Sequence, residues 1–279
     1  MAPWHHRRVA NLRLPGRDIE MHHEIRGEGP PLLLLMGWRG NLEWWPELLV
    51  GPLARRHRLI LVDNRGAGGT GDPGGRYSMA QMADDAAALL DALDVARADV
   101  LGVSMGGMIA QELALRHPQR VGRLVLAATH PGRRARVPPT AAMWRAWGRG
   151  LRRPWRVDEN LLQLLFSADG GAIDKQALAE FRRTAARSPM APWPSVKQYL
   201  AILGHDTYDR LPQIAAPTLV VTGDDDLMVP PGNSAVLAKR IPGAQLVTFP
   251  GAGHALLRTR AAELDALLRD FLLPRAAGT

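Results

Sequence analysis

At 279 residues the chain is long enough for one large α/β core with an insertion. It has no cysteine, which excludes disulfides, thiolate metal sites and a cysteine nucleophile. The formal charge is +8, and residues 130–212 alone hold 14 Lys and Arg against 7 Asp and Glu, so nearly all the excess sits in one segment.

No nucleic-acid motif accompanies that charge, so a solvated basic surface is expected there and no nucleic-acid partner. The first residues, MAPWHHRRVANLRL, lack an apolar signal core, and no apolar run approaches the roughly 18 residues of a membrane span. A soluble, cytoplasmic protein without a membrane partner is the expectation.

Taken in order, Arg7–Leu14 and Ile19–Ile25 flank Pro15-Gly16-Arg17-Asp18 and read as a β-hairpin. The pairs His5-His6 and His22-His23 cannot chelate as units, because adjacent strand residues point to opposite faces; no metal is expected. Leu32–Met36 is a buried strand ending in Gly37-Trp38-Arg39-Gly40. A helix follows around Trp45–Arg56, then a strand over Arg58–Val62 runs into Asp63-Asn64-Arg65-Gly66-Ala67-Gly68. That loop lacks the glycine spacing and the lysine of a nucleotide site. Ser78–Asp94 is an amphipathic helix whose Asp84 and Asp85 read as a solvated face.

The centre of the chain is Ala98–His117, ADVLGVSMGGMIAQELALRH. An apolar strand over Val100–Val103 enters Gly102-Val103-Ser104-Met105-Gly106, and a helical pattern runs from Met108 to Arg116, stopped by Pro118. Strand, glycine-flanked serine and helix form the context of a G-x-S-x-G elbow. A strand that reverses into a helix so abruptly strains the serine backbone and leaves no room for side chains at the flanking glycines. Ser104 is therefore the candidate nucleophile.

After a strand at Leu124–Ala128, the segment from His130 to Pro212 breaks the alternation of strands and helices. It holds Trp144, Trp147, Trp155 and Trp193, and its clearest helical patterns are Leu161–Phe166 and Ala177–Arg187. An α-helical insertion is expected. The sheet resumes at Thr218–Thr222, and Leu246–Phe249 and a closing helix over Arg260–Leu273 complete a mostly parallel, doubly wound sheet. Two strand ends carry chemistry: Asp224, Asp225 and Asp226 follow one strand, and Gly253-His254 follows the next. The order Ser…Asp…His is the one that accompanies this elbow. A serine hydroxyl needs a base as it attacks, and the carboxylate fixes the imidazole tautomer.

Leu35-Met36-Gly37-Trp38, Asp63-Asn64-Arg65-Gly66, the Ser104 elbow with Gly107, Gly223–Pro230 and Gly253-His254 together resemble the α/β-hydrolase fold, in the cap-bearing branch of enol-lactone hydrolases and polyketide methylesterases. The resemblance implies an α/β-hydrolase core over residues 1–129 and 213–279, with a helical cap over 130–212. The family pattern G-x-x-D-x-x-V-P falls on Gly223, Asp226, Val229 and Pro230, which makes Asp226 the triad acid, with Asp224 or Asp225 as alternatives. It also implies an oxyanion hole from the amides of Trp38 and Met105, although Met36-Gly37 stands where many members have His-Gly.

The expected activity is hydrolysis of a carboxylic ester or lactone through an acyl-Ser104 intermediate, without a cofactor. A bulky apolar substrate would meet Met143, Trp144, Trp147 and Trp193, with Trp38, Trp44 and Trp45 as further neighbours. The same triad also serves thioesterases acting with an acyl carrier protein, cofactor-free perhydrolases and C–C hydrolases. A ligand-binding protein without turnover is the alternative of another class.

Overall fold

The computed structural model describes residues 8–141, 165–166, 175–187 and 190–273. Met143, Trp144, Trp147, Trp155 and most of the Leu161–Phe166 pattern lie outside the described residues.

The chain opens with an antiparallel pair, β1 (Arg8–Arg13) and β2 (Glu20–Arg26). Next come β3 (Pro31–Leu35), α1 (Glu47–Ala54), β4 (Arg58–Val62), α2 (Met79–Ala92), β5 (Ala98–Val103), α3 (Met105–Arg116) and β6 (Val121–Ala127). Between β6 and the next strand lie α4 (Lys175–Arg187) and α5 (Pro192–Gly204). The chain ends with β7 (Thr218–Gly223), α6 (Gly232–Arg240), β8 (Gln245–Phe249), the short α7 (Leu256–Thr259) and α8 (Ala261–Leu272). Among the described residues one sheet forms, in the order β1-β2-β4-β3-β5-β6-β7-β8. It is parallel from β4 to β8, and β2 pairs antiparallel with β4.

The central strands are continuous apolar runs because both sheet faces are covered. Their period of two sends Leu33, Leu35, Ile60 and Val62 into a core shared with Met82, Leu89, Met108 and Ile109. Leu32, Leu34, Leu59 and Leu61 point into the opposite layer, against Leu49, Leu53, Leu264 and Leu268. Each such side chain contributes about 1.5–3 kcal/mol on burial. The helix α2 starts where Ser78 caps it, its side chain accepting the Gln81 N–H at 3.1 Å.

Asp85 differs from the solvated residue expected of it. It is buried on α2 and paired with Arg65 and Arg17, which ties the loop after β4 to the helix. Asp84, beside it, takes a bidentate pair from Arg116 at 2.8 Å. No helix among the described residues is long and apolar enough to cross a membrane.

Candidate active site

The strand β5 delivers Ser104 to the N-terminus of α3 within one residue. The Ser104 backbone has φ 54° and ψ −119°, a left-handed conformation that costs a non-glycine residue about 1–3 kcal/mol. Packing holds it there. Its N–H donates to the Ala127 carbonyl at 2.9 Å, and its carbonyl accepts from the Thr129 hydroxyl at 2.8 Å and the Gly107 N–H at 2.9 Å. A β-carbon at Gly106 would lie 1.9 Å from the Leu35 carbonyl oxygen, and one at Gly102 would lie 2.4 Å from that of Gly106. Only glycine fits either place.

The helix begins at Met105, three residues earlier than the apolar pattern indicates. The Met105 amide stands at the first helical position, where no intrahelical acceptor exists. The loop after β3 passes close by: a β-carbon on Gly37 would sit 3.2 Å from Ser104 Cβ and 3.7 Å from its Oγ.

Two later strand ends bring up an acid and a base. Asp226, after β7, is 2% exposed, and its Oδ1 accepts the amides of Met228 at 2.9 Å and Val229 at 2.8 Å. Its Oδ2 lies 2.7 Å from His254 Nδ1, after β8. Asp224 is exposed and accepts the Gly251 amide at 2.6 Å, while Asp225 is half-buried with no such contact to His254. Of the three carboxylates, Asp226 alone among the described residues meets the imidazole. His254 and Ser104 line one cavity of about 200 Å³ with mostly apolar walls. A hydroxyl and an imidazole on one cavity, with a buried carboxylate behind the imidazole, make the group set that acyl transfer needs.

The segment after β6 closes over this cavity through α5. Gln198 is fully buried; its Oε1 accepts the Arg39 N–H at 3.0 Å and its Nε2 donates to the Arg65 carbonyl at 2.8 Å. The Trp38 indole donates to the Ser195 carbonyl at 2.9 Å. The loop after β4 supports the loop after β3 from below. Asn64 donates to the Met36 carbonyl at 2.9 Å, and Asp63 accepts the Leu42 and Gly69 amides, each at 2.7 Å. Burial raises the Asp63 carboxyl above its ordinary range, and these amides pull it part of the way back.

Comparison with known proteins decides the family. A profile of the alpha/beta hydrolase fold matches residues 30–261. The chain belongs to the alpha/beta hydrolase fold family. This α/β hydrolase is 32% identical over 276 residues to a putative carbamate hydrolase, RutD, of Azorhizobium caulinodans, covering 92% of this chain and 96% of that one. It is 33% identical to a putative non-heme bromoperoxidase, BpoC, of Mycobacterium tuberculosis, covering 85% of this chain and 91% of that one. The enol-lactonase of Burkholderia xenovorans LB400 superposes with a TM-score of 0.78 at 29% identity, over 94% of this chain and 99% of that one. These relatives support hydrolase activity and differ in the bond their names assign.

Of the aromatic residues singled out in the sequence, Trp38 and Trp44 line the cavity of this α/β hydrolase. Trp45 is buried one layer below, among the core residues around Leu49. Trp193 does not reach the cavity. It is 64% exposed at the start of α5, where its neighbour Pro194 is the residue turned inward against Gly66. The sequence singles out neither Tyr199 nor Phe181, which line the cavity, nor Gln198 beside it, and it offers Arg136 only as one of the cap arginines able to meet an anionic group. None sits in a motif, and only the fold brings them to Ser104. Phe181 does lie in the expected Ala177–Arg187 helix, where it packs edge-on to Trp44 with ring centres 4.7 Å apart.

Proposed function

We propose that this α/β hydrolase cleaves a carboxylic ester or lactone through an acyl-enzyme on Ser104, with Asp226 and His254 completing the triad. The reading is carried by the 2.7 Å contact between His254 Nδ1 and Asp226 Oδ2 on a cavity that Ser104 also lines. That contact leaves Nε2 as the ring nitrogen for the serine. The Ser104 oxygen attacks the carbonyl carbon as its proton passes to His254. The C–O bond to the leaving alcohol then breaks, and His254 returns the proton to that oxygen. Water repeats the sequence on the acyl-enzyme, releasing the acid and restoring the Ser104 hydroxyl. The amides of Met105 and Trp38 receive the oxyanion, each worth about 3–4 kcal/mol to the tetrahedral intermediate. Residues 130–212 act as the cap, and the apolar walls select a bulky apolar substrate.

A fluorophosphonate probe together with 4-nitrophenyl esters tests this. The enzyme labels and turns over; Ser104→Ala loses the label and at least about 10⁴ in kcat. Labelling without turnover would mark a binding protein instead. A panel of methyl esters, lactones and acyl thioesters then identifies the bond.

A further inference from the structure

Three arginines line the cavity, and their surroundings differ. The Arg258 guanidinium lies 3.1 Å from Glu180 and donates to the Trp44 carbonyl at 3.2 Å. The Arg39 guanidinium is buried and lies over the Trp38 ring, 5.7 Å from its centre. Arg136 is half-buried and, among the described residues, has no carboxylate within ion-pair distance and no side-chain hydrogen bond. No Asp or Glu is among the described residues that line the cavity.

Arg136 is held in position from its backbone. The next residue, Val137, donates its N–H to Asn233 Oδ1 at 2.9 Å and accepts from Asn233 Nδ2 at 3.1 Å. Asn233 is itself fully buried on α6. The charge acts inside the cavity, on two of its lining residues. Burial pushes the His130 imidazole down to about 3, and Arg136 adds to the effect. Burial raises the Tyr199 phenol, and Arg136 opposes that. A guanidinium on a mostly apolar wall, with no counter-charge beside it among the described residues, stabilises an anion brought by a ligand.

We infer that Arg136 binds a carboxylate carried by the substrate. The ester or lactone taken by this site is then a monoanion, whose apolar body fills the cavity and whose carboxylate lies away from the carbonyl under attack. This rests on the reading of Ser104 as nucleophile and adds to it a substrate class. A monoacid ester of the same length, uncharged at its far end, leaves Arg136 without a partner and is the poorer substrate.

The test compares mono-4-nitrophenyl adipate and suberate with 4-nitrophenyl hexanoate and octanoate, which match them in chain length and lack the distal carboxylate. The wild type favours the anionic esters. Arg136→Gln lowers the ratio of anionic to neutral kcat/KM by about 10- to 100-fold, chiefly through KM, as expected for one charge-assisted hydrogen bond. Arg136→Lys restores part of the ratio, and raising the salt concentration reduces it in the wild type. The Arg136→Gln melting temperature stays at the wild-type value. An unchanged ratio, or a lower ratio accompanied by a lower melting temperature, would overturn the inference. Isothermal titration of mono-4-nitrophenyl adipate into Ser104→Ala, with and without Arg136→Gln, reads the same site without turnover, and equal Kd values would also overturn it. A wild type that neither labels with fluorophosphonate nor cleaves any of the four esters refutes the Ser104 reading, while the Kd comparison still decides Arg136.

Discussion

Replacing Gln198 by Met keeps the length of the side chain and removes both of its polar ends. Two backbone groups on buried residues, the Arg39 N–H and the Arg65 carbonyl, then lose their partners. Each orphaned group costs about 1–3 kcal/mol, so the pair costs about 4 kcal/mol. For a chain of this size that corresponds to a melting temperature lower by about 8–16 °C. Differential scanning calorimetry reads this directly. Gln198→Glu keeps an acceptor for Arg39 but turns a second oxygen, with buried charge, onto the Arg65 carbonyl, so it melts at least as low. The same pin holds the loop that carries Trp38 beside Ser104. With ester hydrolysis measured well below the melting transition, the oxyanion role proposed for the Trp38 amide predicts that kcat falls by up to about 10²–10³ as that amide leaves its place. A Gln198→Met protein melting within about 2 °C of the wild type would refute the reasoning, because two orphaned buried groups cannot cost so little.

Asp226→Asn keeps its oxygen on the Met228 and Val229 amides and turns an N–H donor onto His254 Nδ1, which moves the imidazole proton to Nε2, so kcat falls by about 10⁴, while Asp224→Asn changes it by no more than a few-fold; equal losses in steady-state assays would refute Asp226 as the acid. Stability depends on pH through His130 and His205, whose imidazoles burial pushes down to about 3, helped by Arg136 for the first and by His130 and Arg210 for the second. The unfolded chain binds these protons below its ordinary imidazole range and the folded chain does not. Stability is therefore full above about pH 6.5 and declines as pH falls toward 3, by up to about 1.4 kcal/mol per pH unit for each histidine. Urea midpoints between pH 7 and pH 5.5 measure the slope, and His205→Phe flattens it; an identical slope in that variant would refute the assignment.

The sheet and the elbow were legible in the sequence because each follows from a local rule. Strands buried on both faces read as apolar runs such as Leu32–Leu35 and Leu59–Val62, and the crowding at Gly102 and Gly106 leaves only glycine. The order of strand ends brought His254 and three carboxylates to one sheet edge, and only the family pattern over Gly223–Pro230 singled out Asp226, whose Oδ2 lies 2.7 Å from His254 Nδ1. What escaped notice depends on long-range placement. Asp85 has the charge of a surface residue, and only the approach of Arg65 and Arg17 makes its burial tolerable. Trp193 has the size of a pocket residue, yet the Pro-Trp-Pro start of α5 turns Pro194 inward and Trp193 out. The helix α6, behind Val229-Pro230-Pro231, has a mixed sequence that shows no apolar stripe, and Asn233 becomes informative only once Val137 is seen against it.

The bonds that α5 makes to the loops around Ser104 join residues far apart along the chain: 157 positions for Trp38 with Ser195, 159 for Arg39 with Gln198 and 133 for Arg65 with Gln198. A ribosome that has just released the elbow helix has therefore made Ser104 without the bonds that secure the loops around it. A chain that ends before α5 lacks all three of these bonds and the strands β7 and β8. The surroundings of Ser104 are completed late, after loop closures over long distances whose entropic cost slows folding.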